Sequence, residues 1–203
     1  MVTPNYCIIT VAKCNPAFMD KALNLTEGFK NEIEREANPI SIRYGVMSTG
    51  QHAGAIAFFQ NYSSLSDFEK SFAVYQAAND YQALFNSGNA SVIMRNIAKY
   101  LHIPFEQKTA AEAKYLVLTR VVAKESMESE ILALAPLFSK GGALTYRLAN
   151  VITGNNVGNQ LLGVSYSSMA DIENVYDSLA NDETYKGLLT KVHVNMRNII
   201  RLR

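Results

Sequence analysis

Four arginines occupy matched positions in the two halves of the chain: Arg43 and Arg147 stand 104 residues apart, and Arg95 and Arg197 stand 102 apart. A guanidinium keeps its charge at any physiological pH and presents a planar fork of N–H donors that matches a carboxylate or phosphate. Arginines gathered in a confined space would therefore bind an acidic or oxygen-rich organic molecule. Asn195 lies two residues from Arg197 and adds an amide that can donate and accept beside it. His193 belongs to the same segment, and imidazole exchanges a proton near neutral pH, which makes it the candidate general base. The sequence thus nominates His193 as catalytic and Arg43, Arg95, Arg147, Arg197 and Asn195 as ligand-binding. An unpaired guanidinium withdrawn from water is costly, so each arginine needs water, a helix carboxylate such as Glu27, Glu69 or Glu173, or an anionic ligand.

Other chemistries find little support. The histidines, His52, His102 and His193, are too few and scattered for a zinc pattern, and CxxC and HExxH do not occur, so no metal is expected. Neither GxGxxG nor GxxxxGK[ST] is present, which removes the usual signs of nucleotide binding. Cys7 and Cys14 are seven apart, on opposite faces of an extended strand, so a disulfide is not expected and a reduced cytoplasmic setting fits. The start, Met1 to Tyr6, lacks the basic region and cleavage site of a secretory signal. No apolar run approaches the roughly 20 residues needed to span a bilayer, so no membrane association is expected. Lys+Arg 19 against Asp+Glu 18 gives a net charge of +1, which offers no bulk field for nucleic acid.

The elements that must position these residues follow from an internal duplication. Thr49-Gly50 with Gly54 returns as Thr153-Gly154 with Gly158, and Tyr62-Ser63-Ser64 with Asp67 returns as Tyr166-Ser167-Ser168 with Asp171. Met94-Arg95-Asn96-Ile97 returns unchanged as Met196-Arg197-Asn198-Ile199, and Tyr6 with Thr10 matches Tyr115 with Thr119. Recurrence in one order marks two copies of a single unit, residues 1–101 and 113–203, joined by a proline-containing connector at 102–112.

Each copy reads as strand, helix, strand, strand, helix, strand. β-branched and aromatic residues at Tyr6–Ala12 and Tyr115–Val122 open the copies as strands. Asn15-Pro16 suits a helix start, with Ser126 in the matching role. Two hairpins follow around the glycine-containing turns, and Ser64-x-x-Asp67 and Ser168-x-x-Asp171 cap the second helices. The last strands are Val92–Tyr100 and Val192–Leu202. The order βαββαβ is ferredoxin-like, an antiparallel sheet with helices on one face. Its bare face would expose apolar surface, and two copies relieve this by packing face to face. The fold class expected is α+β, two tandem ferredoxin-like repeats forming a pseudo-dimer.

Period-two alternation then assigns the faces. It directs Val192, Val194 and Met196 toward the helices and sends His193, Asn195, Arg197 and Arg201 between the sheets, with Ser91, Ile93, Arg95 and Lys99 matching them in the first copy. In the second strands it sends Ser41, Arg43, Thr145 and Arg147 inward.

The doubled pattern, with its Thr-Gly turns, Tyr-Ser-Ser helix entries and Met-Arg-Asn-Ile final strands, resembles the dimeric α+β barrel superfamily. Its members include antibiotic-biosynthesis-type monooxygenases, NIPSNAP-like proteins and, as fused tandem versions, chlorite dismutase-like haem proteins. The resemblance implies cofactor-independent oxygenation or isomerisation of an acidic or quinone-like compound, although the absence of tryptophan departs from oxygenases that use one in the pocket. A non-enzymatic carrier or interaction module is the alternative. A haem-binding tandem barrel is a further one, with His193 as axial ligand and an arginine opposite; otherwise no cofactor is expected. Intramolecular pairing allows a monomer and leaves the outer surfaces free for a homodimer.

Overall fold

The computed structural model describes residues 3–109, 112–123 and 125–203. Residues 110 and 111 of the expected connector, and the first two of the expected start, lie outside the described residues. The first repeat contains β1 (Tyr6–Cys14), α1 (Met19–Glu36), β2 (Ser41–Met47), β3 (Ile56–Tyr62), α2 (Leu65–Ala77), α3 (Asn79–Asn86) and β4 (Ala90–Leu101). The second contains β5 (Tyr115–Ala123), α4 (Glu128–Lys140), β6 (Thr145–Thr153), β7 (Gln160–Tyr166), α5 (Met169–Ala180), α6 (Glu183–Lys191) and β8 (Val192–Leu202).

Local chemistry accounts for the helix starts. The Asn15 side chain accepts from the Ala17 amide at 3.1 Å and opens a short 3-10 turn, Pro16–Phe18, ahead of α1. Ser64 and Ser168 accept from the amides of Asp67 and Asp171, each at 3.1 Å, and Asp171 completes a capping box by accepting from the Ser168 amide. Ser126 accepts from the Glu128 amide only at 3.3 Å, and Met127 is the capping residue of α4. The second helix expected in each repeat is two helices: extended residues at Ala78 and Asp182 break the helical path, and Asp182 caps α6 through the Tyr185 amide.

The sheets do more than face one another. Their edges pair, β2 with β8 and β4 with β6, and close an eight-stranded barrel in the order β1-β3-β2-β8-β5-β7-β6-β4. Three apolar clusters result. One, around Ile8, Phe29, Ile33 and Tyr62, lies beneath the helices of the first repeat, and a second, around Ile131, Phe138, Tyr146 and Val175, beneath those of the second. The third, including Ile9, Phe59, Ala98, Val151 and Leu161, fills the barrel. At about 1.5–3 kcal/mol per fully buried large side chain, these surfaces drive the two sheets to share one interior.

Two bulges decide which side chains enter that interior. Between β1 and β4 the register slips at Val11/Ala12, opposite Met94 and Val92, and leaves Ile93 as an extra residue. Between β5 and β8 it slips at Arg120/Val121, opposite Met196 and Val194, and leaves Asn195 extra. One extra residue reverses every face beyond it. Val192 and Val194 pack beneath the helices as expected, but beyond the bulge Arg197 lies on that side too, and Arg95 does the same in the first repeat. The inward placement expected for Arg95 and Arg197 is thereby corrected, and Arg201 and Lys99 are exposed at the surface.

Candidate functional site

Of the four matched arginines, Arg43 and Arg147 reach the barrel interior. Both line a cavity of about 140 Å³. Its walls also include Ile9, Phe59, Leu116, Leu118, Ala149 and Leu161, and among the described residues no acidic side chain. Polar groups cluster where β2, β4 and β6 meet it. Asn61 Nδ2 donates to Ser41 Oγ at 3.0 Å, Tyr100 Oη donates to Asn61 Oδ1 at 2.9 Å, and the hydroxyls of Thr145 and Ser165 lie 2.7 Å apart. These polar groups partner one another, and the guanidiniums are the charged donors on the wall. The Arg147 guanidinium also lies over the Tyr100 ring, 5.5 Å from its centroid.

Among the described residues, neither arginine has a carboxylate partner. Ion pairs among the described residues involve Lys30, Arg35, Lys70, Lys186 and Lys191, all outside the cavity. Glu27, one of the carboxylates that could have neutralised an arginine, instead accepts from Tyr44 Oη at 2.7 Å and pairs with Lys30. The Tyr44 hydrogen bond, followed by Lys30, holds the Glu27 carboxyl below its usual range. On the cavity wall, burial pushes the Cys7 thiol up to about 11, against the smaller opposing pull of Tyr100 and Arg147. Burial also raises the Tyr100 phenol well above its ordinary value. Both groups stay protonated near neutral pH.

Arg95 and Arg197 occupy crevices beneath the helices. Arg95 Nε donates to Thr10 Oγ1 at 3.0 Å, and its guanidinium lies 4.6 Å from the Tyr75 ring centroid. Arg197 Nε donates to Thr119 Oγ1 at 3.3 Å, Arg197 Nη2 donates to Tyr185 Oη at 3.0 Å, and the Tyr176 centroid is 4.9 Å away. The repeated threonines and arginines of the sequence are thus each other's partners across neighbouring strands. The crevices are small, about 40 Å³ around Arg95 and about 30 Å³ around Arg197.

His193 is exposed on the early part of β8, where only β5 is paired with it, and it lines neither the cavity nor the crevices. Asn195, the bulge residue, accepts from Arg120 Nε at 2.9 Å. Arg120 escaped sequence reasoning: it lies on the same face of β5 as Leu116 and Leu118, and its Nη1 donates to Asn156 Oδ1 at 2.7 Å. Simple alternation from those leucines would have found it. Cys7, Tyr100 and the Phe59/Gly163 pair were also missed, although the last is visible as a mismatch at the 104-residue spacing.

Haem, which the resemblance to chlorite dismutase-like proteins implied, does not fit these residues. No histidine lines the interior cavity, and a space near the ~150 Å³ that accepts one benzene ring cannot enclose a macrocycle.

Comparison with known proteins agrees with the architecture. A family model described as "Domain of unknown function (DUF6854)" matches residues 4–100 and again 113–202. None of the curated proteins matches the sequence. Among solved structures, a candidate monooxygenase from Fusobacterium nucleatum subsp. nucleatum is 13% identical, with 100% of this chain and 94% of that chain covered and a TM-score of 0.69. An anthrone oxidase-like protein is 12% identical over 99% of this chain and 92% of that one, with a TM-score of 0.64. A variant of chlorite dismutase from Candidatus Nitrospira defluvii is 9% identical over 100% and 92%, with a TM-score of 0.62. At such identities the likeness establishes the fold, the tandem dimeric α+β barrel.

Proposed function

Because this chain belongs to the DUF6854 family, whose description names no activity, we propose from its geometry that it binds a small anionic or oxygen-rich organic molecule inside the barrel, held by Arg43 and Arg147. The observation that carries this reading is a pair of half-buried guanidiniums, from matched positions of the two repeats, lining one largely apolar cavity without a carboxylate. An anion supplied by a ligand offsets the desolvation that the fold imposes on both charges. Calorimetric titration with a panel of organic acids and phosphate tests it. Arg43→Met and Arg147→Met should each abolish binding while leaving the melting temperature unchanged or raised. A fall in melting temperature with binding retained would instead make the arginines structural.

A second reading is oxidation of a phenolic or quinone-like compound in the crevice beneath α2 and α3, where Arg95 lies against Tyr75. It draws on the monooxygenase and anthrone oxidase-like names of two similar structures. For an anthrone, the methylene carbon would gain one oxygen of O₂ as a carbonyl, and the other oxygen would leave as water with the two hydrogens. The crevice, about 40 Å³, is smaller than a single ring, so α2 and α3 would have to swing outward first. That requirement ranks this reading second. Oxygen uptake with an anthrone, compared between the native protein and Arg95→Met, distinguishes it: equal rates, or none in either, remove it.

A further inference from the structure

The barrel interior breaks its pseudo-twofold symmetry at one matched pair. Phe59 of β3 and Gly163 of β7 stand 104 residues apart, and both line the cavity. Each pairs across the sheet with an arginine, Phe59 with Arg43 and Gly163 with Arg147. The Phe59 ring is 5% exposed and fills its half of the interior. In the other half the matched place has no side chain.

Nothing in the backbone requires glycine at position 163. Its φ lies outside the left-handed region. A Cβ there would stand 3.7 Å from Leu116 Cδ1 and 3.9 Å from Leu118 Cδ1, ordinary van der Waals distances. The cavity, about 140 Å³, is close to the ~150 Å³ apolar space known to accept one benzene ring. Its apolar walls and its two arginines together describe a molecule with one ring-sized apolar body and one anionic group. Among the described residues on its wall, Arg43 and Arg147 are the cationic groups, so the anion lies with them, and the hydroxyls of Ser41, Thr145 and Ser165 can add a donor beside them.

Resting on the binding reading above, the geometry points to a monocyclic carboxylic acid of benzoate size as the ligand class. Its ring sits against Gly163, in the place matched by the Phe59 ring, and its carboxylate lies with Arg43 and Arg147. The site is thus one half's missing side chain, filled by a guest.

Titration of the full chain with benzoate, 2-naphthoate and butyrate, on the native protein, Gly163→Ala and Gly163→Phe, tests the assignment. Benzoate should bind most tightly of the three acids. Gly163→Ala should weaken it roughly tenfold or more, as a methyl group placed in a fitted apolar pocket does. Gly163→Phe should abolish binding without lowering the melting temperature. Should Gly163→Phe not fold, the alanine variant and the size series decide. Undiminished benzoate affinity in Gly163→Ala, or naphthoate or butyrate binding as tightly as benzoate, overturns the ring site while leaving the anion reading intact, provided Arg43→Met and Arg147→Met still lose the ligand. Failure of all three acids overturns this ligand class, and the binding reading falls with it only if the wider panel, phosphate included, also fails.

Discussion

Arg95 and Arg197 carry the same charge as Arg43 and Arg147, yet their neighbours assign them different work. The first pair is engaged by threonine hydroxyls and tyrosine rings beneath the helices, whereas the second lines an apolar cavity with no counter-ion. Cys7 shows the same dependence on surroundings. Its thiol, buried and pushed up to about 11, has a far smaller thiolate fraction than a free cysteine at about pH 8. A thiol-specific reagent should therefore modify Cys14, which is only partly buried, well before Cys7. Modification of Cys7 as fast as Cys14 in the native protein would overturn this reading of its surroundings.

At the scale of elements, bulges and helix contacts decide more than propensity does. Ile93 and Asn195 each add one residue to a final strand, and that alone moves Arg95 and Arg197 from the interior to the helix side. Alternation read along β2 and β6, which have no bulge against their hairpin partners, placed Ser41, Arg43, Thr145 and Arg147 correctly. In the final strands it held only as far as the slip. Between helices, Lys191 at the end of α6 donates to Glu130 in the first turn of α4, and this bond, aided by Ser129, holds the Glu130 carboxyl at about 2. A carboxyl depressed in the folded state contributes stability above its unfolded pKa and loses it as pH falls through the folded value. The contribution should therefore be complete above about pH 4.5 and decline toward about pH 2. Glu130→Gln should flatten the dependence of melting temperature on pH in that window. An unchanged slope would mean that the bond adds no stability.

Across the whole molecule, the most conspicuous repeated motifs turn out to join the two repeats. The Ile199 amide donates to Thr49 Oγ1 at 2.9 Å and the Ile97 amide to Thr153 Oγ1 at 3.1 Å, so each Thr-Gly turn grips the Met-Arg-Asn-Ile strand of the other repeat. Gly50 and Gly154 take φ of 87° and 91°, and a Cβ on either would stand 2.0 Å from the Oδ1 of Asn198 or Asn96. Gly54 has φ of 86° but open space around it. Gly54→Ala should cost about 1–3 kcal/mol from its backbone conformation alone. Gly50→Ala and Gly154→Ala should cost more, because the asparagine must also move. Chemical denaturation reads the difference, and equal losses at Gly50 and Gly54 would remove the clasp from the account of stability.

The sequence by itself determined the duplication, the βαββαβ order of each repeat, the helix caps and the inward course of β2 and β6. These follow from spacing, periodicity and hydrogen bonds between near neighbours. Only the tertiary structure decided that the sheet edges close into a barrel, that bulges turn Arg95 and Arg197 away from it, and that His193 stands outside it. Those outcomes depend on the register between strands distant in the chain, where a slip of one residue leaves the alternating pattern intact but exchanges its two faces.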